Sequence, residues 1–125
     1  MRTHHPTLTP NELAIMKVVW QLEKCTVREV YETLREQRAI AYTTVMTMMN
    51  ILEEKGYLDR SLVERAYVYR PTRPQAQVVG QMVTDFVNRV FDGAASGLLV
   101  HLAKDRRLSS SERKHIRRII EGMDE

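Results

Sequence analysis

At 125 residues, 43% hydrophobic and 28% charged, the chain is long enough for one ordinary domain or two small ones and too apolar for wholesale disorder. A formal net charge of +3 is modest for a nucleic-acid binder, so any contact with DNA has to come from local placement of arginine rather than bulk charge. There is no apolar run of about 18 residues, no apolar core in MRTHHPTLTP of the kind a signal peptide needs, and one cysteine, Cys25. These features exclude an internal disulfide and a cysteine-pair zinc site, and they make a cytoplasmic protein without membrane insertion the expectation.

Leu8-Thr9-Pro10-Asn11-Glu12 is a helix start. Thr9 can cap the amide of Glu12, Glu12 can reach back, and Pro10 suits the first helical position. Leu13, Met16, Val19, Trp20 and Leu22 mark the core face of this first helix, which stops near Lys24. Thr26-Val27-Arg28-Glu29 repeats the capping box and opens a second helix to about Gln37, with Val27, Val30, Tyr31 and Leu34 inward.

From Ala39 to Leu52 no residue is charged, yet Ala41, Val45, Met48, Met49 and Leu52 recur at the i, i+3, i+4 spacing of one buried face. The opposite side of this third helix carries Thr43, Thr47, Asn50 and Glu54, with Thr44 and Ile51 beside them. Short hydroxyl, methyl and amide groups can reach base edges in a major groove, whereas an ordinary solvated face tends to carry Lys and Glu. A recognition helix is one reading of that face; a Thr-rich surface helix with nothing to bind is the other. Met46, Met48 and Met49 at helical spacing read as packing, not copper ligation.

Gly56 stands where a left-handed cap ends this helix, and the period then changes. LDRSLV and AYVYR, the latter ended by Pro71, are short extended segments with Tyr67 and Tyr69 on one face, which predicts a hairpin. Its tip near Val63-Glu64-Arg65 lacks glycine, so a longer or bulged loop is expected. Three helices and a hairpin make a winged helix-turn-helix over residues 1–73, an architecture in which the third helix enters the major groove and the hairpin lies on the backbone. Arg60, Arg65, Arg70 and Arg73 are then candidates for phosphate, Arg65 foremost.

Thr72-Arg73-Pro74 reads as a joint into a mainly α-helical second half, 74–125. A long helix from about Gln75 to Phe91, closed by Asp92-Gly93, carries Val78, Val79, Met82, Val83, Phe86, Val87, Val90 and Phe91, more apolar circumference than one core stripe requires. Ala94 to Lys104 is a shorter helix around Leu98, Leu99 and Leu102. Ser109 to Glu112 is a third capping box, and Ile116, Ile119, Ile120 and Met123 stripe the last helix. Three helices of this size cannot hide that surface alone, so this half is expected to form a homodimer.

His4, His5, His101 and His115 show no metal-ligand spacing, Cys25 reads as a structural thiol, and no catalytic constellation or glycine-rich phosphate loop is present. The expectation is a non-enzyme without cofactor or metal.

LTPNELAIMKVVW, TVREVYETL, AYTTVMTMMNILEEKGYL, RAYVYRP and FDGAASGLLVHL together resemble the penicillinase-repressor family, the BlaI/MecI type, over nearly the whole chain. The resemblance implies a dimeric repressor of transcription with a winged helix and a three-helix dimerisation region on palindromic double-stranded operator DNA. By position it implies Tyr42, Thr43, Thr44 and Thr47 facing DNA and Arg65 in the wing. It also implies release through a membrane-bound sensor metalloprotease pathway that ends in a cut of the dimerisation half, at a site usually Asn-Phe where this chain has His101-Leu102. Glu64 replaces a glycine usual before the wing arginine, and Ile51 replaces a basic residue common in the recognition helix. The carboxy-terminal cysteines of copper-responsive relatives are missing, so copper sensing is not expected. A winged helix used for protein interaction without DNA is the alternative function for the same fold.

Overall fold

The structure is a computed structural model that describes residues 7–122. Helix α1 (Pro10–Leu22) opens on the capping box: the Glu12 amide donates to Thr9 Oγ1 at 3.2 Å, and the Thr9 amide donates to Glu12 Oε1 at 2.8 Å. Thr26 and Glu29 repeat that geometry at the start of α2 (Val27–Leu34). This helix is shorter than its sequence suggests. The amide of Gln37 turns back to the Leu34 carbonyl at i−3, and residues 35–37 form a tight turn toward α3 (Tyr42–Glu54). Helix α3 has no side-chain cap. Ala41 is its extended N-cap residue and is exposed, so it does not belong to the buried stripe; Met48 is half-buried.

The core of this part is Ile15, Met16 and Val19 from α1, Val30 and Leu34 from α2, and Val45, Met49 and Leu52 from α3. Ile15 and Val18 are buried although the spacing from Leu13 passes over them, and Leu22, expected inward, is exposed at the helix end. AIMKVVW is apolar on several sides, which leaves the phase of the stripe open until the neighbouring helices choose it. Gly56 adopts φ +87 after α3, as its place at the cap requires.

Strands β1 (Leu58–Val63) and β2 (Ala66–Pro71) pair antiparallel in one register, Leu58↔Pro71 through Val63↔Ala66. Cys25 extends the ladder by one residue: its amide donates to the Tyr69 carbonyl at 3.0 Å, and the Tyr69 amide donates to the Cys25 carbonyl at 2.7 Å. Burial, with the Glu29 charge adding, pushes the Cys25 thiol up to about 11, so it stays protonated and inert.

Helices α4 (Gln75–Phe91), α5 (Ala95–Lys104) and α6 (Ser110–Gly122) complete the chain. It divides into two compact units, Met1–Gly80 and Gln81–Glu125, with the boundary inside α4. In the first unit the Trp20 indole donates to the Arg73 carbonyl at 3.0 Å and Val78 is buried, which seats the start of α4 on α1's unit. In the second, Asp92 and Gly93 end α4 at positive φ, and the Ser109–Glu112 box caps α6. Gly97 admits the Phe91 ring, which would stand 2.7 Å from an added Cβ. Helices α5 and α6 bury no side chain among the described residues; Met123 lies outside them.

One long-range ion pair joins the two ends of the helical core. Lys55, at the end of α3, donates to Glu12 Oε1 at 2.8 Å and Oε2 at 3.0 Å, and to the Thr7 carbonyl at 3.2 Å. Burial alone raises the Glu12 carboxyl, but hydrogen bonds from Lys55 and Thr9 and the Lys55 charge outweigh it, so its pKa lies below the ordinary 4.5. Its contribution to stability is therefore present above pH 4.5 and lost as the pH falls through the lower folded value. Lys55→Met leaves a buried, unpaired carboxylate. Urea unfolding at pH 7 is expected to show a loss of about 3 kcal/mol, and that deficit shrinks on acidification as Glu12 protonates.

Candidate nucleic-acid interface

Because Val45, Met49 and Leu52 fix one side of α3 in the core, its other side is presented outward. Thr43, Thr44, Thr47 and Asn50 are exposed there, and the charge on this side is confined to Glu54, the last residue of the helix. Tyr42 is half-buried at the start of the helix, its ring edge-on to Tyr31 at 5.6 Å and beneath the Arg28 guanidinium at 5.2 Å. Met46, which its spacing assigns to packing, is instead 39% exposed on the side of α3 nearest the hairpin. A groove of about 470 Å³ runs between α3 and the hairpin, lined by Tyr42, Met46, Asn50, Tyr67 and Tyr69 and by the arginines Arg28 and Arg60.

The hairpin tip differs from the longer loop expected of it. Val63 pairs with Ala66, so the turn has only two residues, Glu64 at φ +49 and Arg65 at φ +72. Two positive φ values in a two-residue hairpin define a type I′ turn, whose twist matches the strands. Neither Glu nor Arg favours that conformation, so the ladder and the strand twist impose it. Arg65 is thereby held exposed at the tip.

The three arginines of the hairpin and Arg73 just beyond it do not share one role. Arg60 stacks on Tyr67 at 4.2 Å and meets Glu53 at 3.4 Å, an exposed ion pair that orients more than it stabilises. Arg70 is exposed. Arg73 is half-buried over the Tyr57 ring at 5.1 Å, and its Nη2 is shielded from solvent with no hydrogen-bond partner among the described residues. Arg73 is thus engaged at the joint, whereas Arg65 and Arg70 are exposed. Arg28 is the residue that sequence reading passed over. It lies in the first turn of α2, where the helix dipole disfavours a cation, and that local misfit was the available signal.

Residues expected at a dimer seam are laid out along the last three helices. Val83, Phe86, Val90, Leu99, Ile119 and Ile120 are exposed; Met82, Leu98, Leu102 and Ile116 are half-buried; Val79 is half-buried and belongs to the first unit. His101 is exposed on α5 beside Leu102. Among the described residues no three His, Cys, Asp or Glu side chains are grouped to hold a metal ion, and no helix is long and apolar enough to cross a membrane. His4 and His5 lie outside those residues.

Three helices, a two-stranded wing and a neutral polar face on the third helix define a winged helix-turn-helix protein. Residues 8–122 match the family model described as penicillinase repressor. The chain belongs to the penicillinase-repressor family. It is 26% identical over 116 residues to the penicillinase repressor of Bacillus licheniformis, covering 93% of this chain and 91% of that one. It is 31% identical over 115 residues to the transcriptional regulator BlaI of Mycobacterium tuberculosis, covering 90% of this chain and 82% of that one. The solution structure of monomeric B. licheniformis BlaI in complex with the blaP half-operator superposes with a TM-score of 0.51 at 29% identity, over 58% of this chain and 89% of that one. These relatives are named as repressors or regulators, none as an enzyme.

The strained turn yields a prediction independent of DNA. Glu64→Asn places a residue that tolerates positive φ at the first turn position and is expected to stabilise the protein by about 0.5 to 1 kcal/mol. Thermal unfolding checks it through a higher Tm.

Proposed function

We propose that the protein is a DNA-binding transcriptional repressor that recognises a pseudo-palindromic operator as a homodimer. The observation that carries this reading is the neutral Thr43, Thr47 and Asn50 face of α3 standing beside an arginine-bearing wing. In this reading Tyr42, Thr43, Thr44, Thr47 and Asn50 meet base edges and sugar, while Arg60 and Arg65 neutralise phosphate. Family membership and the likeness to a repressor on its half-operator support it. Thr47→Ala is expected to change the preference among operator variants by about 1 to 3 kcal/mol, whereas Arg65→Ala weakens all sequences alike and flattens the salt slope by about one. Fluorescence titration at two salt concentrations separates the two. Equal loss on every sequence for Thr47→Ala removes the base-reading role.

Residues 1–73 act as the DNA-binding head and residues 74–125 as the dimerisation region. The support is the apolar surface that α4, α5 and α6 leave exposed, including Phe86, Val90, Leu99 and Ile119. A two-fold dimer then requires half-sites whose centres lie about 10 base pairs or a small multiple apart. Light scattering is expected to give a dimer at micromolar concentration, and Phe86→Glu with Ile119→Glu a monomer. A wild-type chain that stays monomeric contradicts the arrangement.

Repression is released by disruption of that dimerisation region. A cut at His101-Leu102, within α5, would detach α6 and its Ile116, Ile119 and Ile120 stripe. Such a cut requires α5 to unwind, since a helical peptide bond does not fit an extended protease cleft. A membrane-bound sensor metalloprotease pathway is the partner this mode of release calls for, with the repressor itself in the cytoplasm.

A further inference from the structure

The base-facing side of α3 and the wing are connected by a hydrogen-bond relay. The Tyr69 hydroxyl donates to Asn50 Oδ1 at 3.3 Å. Tyr69 also stands directly opposite Arg60 in the β1–β2 ladder. Arg60 stands near the same hydroxyl: interaction with Tyr69 is the largest influence holding the guanidinium's pKa above its ordinary value, with burial opposing and the Glu53 charge adding. A guanidinium only donates, so the neighbouring Arg60 turns the phenolic proton away from itself and toward Asn50. The acceptor it meets is then the amide oxygen. Amide orientation is decided by such a network, and here the network turns the oxygen inward and the NH2 outward.

Tyr69 is well suited to hold that orientation. Its ring is 2% exposed, and its backbone is fixed on one side by the Cys25 bridge and on the other by the strand. Arg60 is held in turn by the Tyr67 ring and Glu53. Asn50 itself is exposed on the outer face of α3.

We propose that Tyr69 is a positioning residue for base recognition: by occupying the Asn50 oxygen it presents the Asn50 NH2 to the major groove, selecting a base edge rich in acceptors. The proposal rests on the reading of α3 as a DNA-recognition helix. The usual pairing of Asn with adenine takes both its oxygen and its NH2, and cytosine offers only a donor. An outward NH2 favours guanine, whose N7 and O6 both accept, or thymine, whose O4 accepts. The relay also gives the wing a second task, since a side chain read as a phosphate contact helps fix the orientation of one that reads a base.

The test measures wild type, Asn50→Ala, Tyr69→Phe and the double variant against an operator panel in which each base pair is substituted in turn, at one salt concentration. Asn50→Ala is expected to lose selection at one base pair of each half-site by about fivefold, the effect of one hydrogen bond. Tyr69→Phe, which keeps the ring, loses the same selection at the same base pair, and the double variant loses no more. Substituting one strand at a time at that pair identifies the base contacted, and it is guanine or thymine. Asn50→Asp serves as a second probe that leaves the core untouched: a carboxylate only accepts, so selection on the contacted strand moves toward cytosine. Tyr69→Phe that keeps wild-type selection, or that weakens every sequence alike, overturns the positioning role. So does contact, located by the same one-strand substitutions, with cytosine, or with an adenine whose N6 amine is needed for binding. A wild-type protein with no sequence preference anywhere overturns the DNA reading itself, and this proposal with it.

Discussion

Tyr69 is where the hairpin, the helical core and the outer face of α3 meet. Its ring fills the core, its backbone forms two hydrogen bonds with Cys25 ahead of α2, and its hydroxyl reaches Asn50 on α3. A two-stranded hairpin alone is marginal in water, and this one gains its fixed position from that single buried anchor and from Leu58 beside it. The rest of the surface proposed to face DNA depends on the anchoring. Only with the wing held against α3 do Arg60, Tyr67 and Met46 line one groove with Asn50 and Tyr42. The strained Glu64-Arg65 turn follows from the same constraint, because the register set at Tyr69 leaves two residues to close the hairpin.

The second unit is built on the opposite principle. Its helices are well capped, by Ser109 and Glu112 at α6 and by positive-φ residues after α4, yet they bury little within one chain. Local signals are enough to form the helices, while their apolar faces remain open along α4, α5 and α6. Between α5 and α6 a groove of about 240 Å³ is lined mainly by Leu99, Leu102, Leu108, Ile116 and Ile120. An exposed apolar surface of that composition is what a partner covers, and a second copy of the chain is the cover proposed above.

How much of this was legible in the sequence follows from the range of each interaction. The three capping boxes, the Gly56 cap, both strands and the limits of α4 are set by residues a few positions apart, and the pattern shows them directly. Family resemblance, carried by AYTTVMTMM, RAYVY and FDG, was legible for the same reason. Interactions that close over long separations were not. Nothing in the sequence pairs Glu12 with Lys55, brings Tyr69 to Asn50, or turns Arg73 onto Tyr57. The hairpin tip misled because Glu-Arg is no turn sequence; the strands dictate its conformation. The phase of α1 misled because its apolar residues lie on several sides, and only packing against α2 and α3 selects Ile15 and Val18.

The central claim is that the neutral face of α3, fixed beside the wing, reads a DNA sequence. The most direct measurement is a titration of the full-length protein against its own upstream promoter DNA and against a scrambled duplex of equal length and composition, over a range of salt. The account predicts binding to the promoter tighter than to the scrambled duplex by at least about a thousandfold, with affinity falling as salt rises on both. Equal affinity for the two duplexes, or no affinity for either, contradicts it.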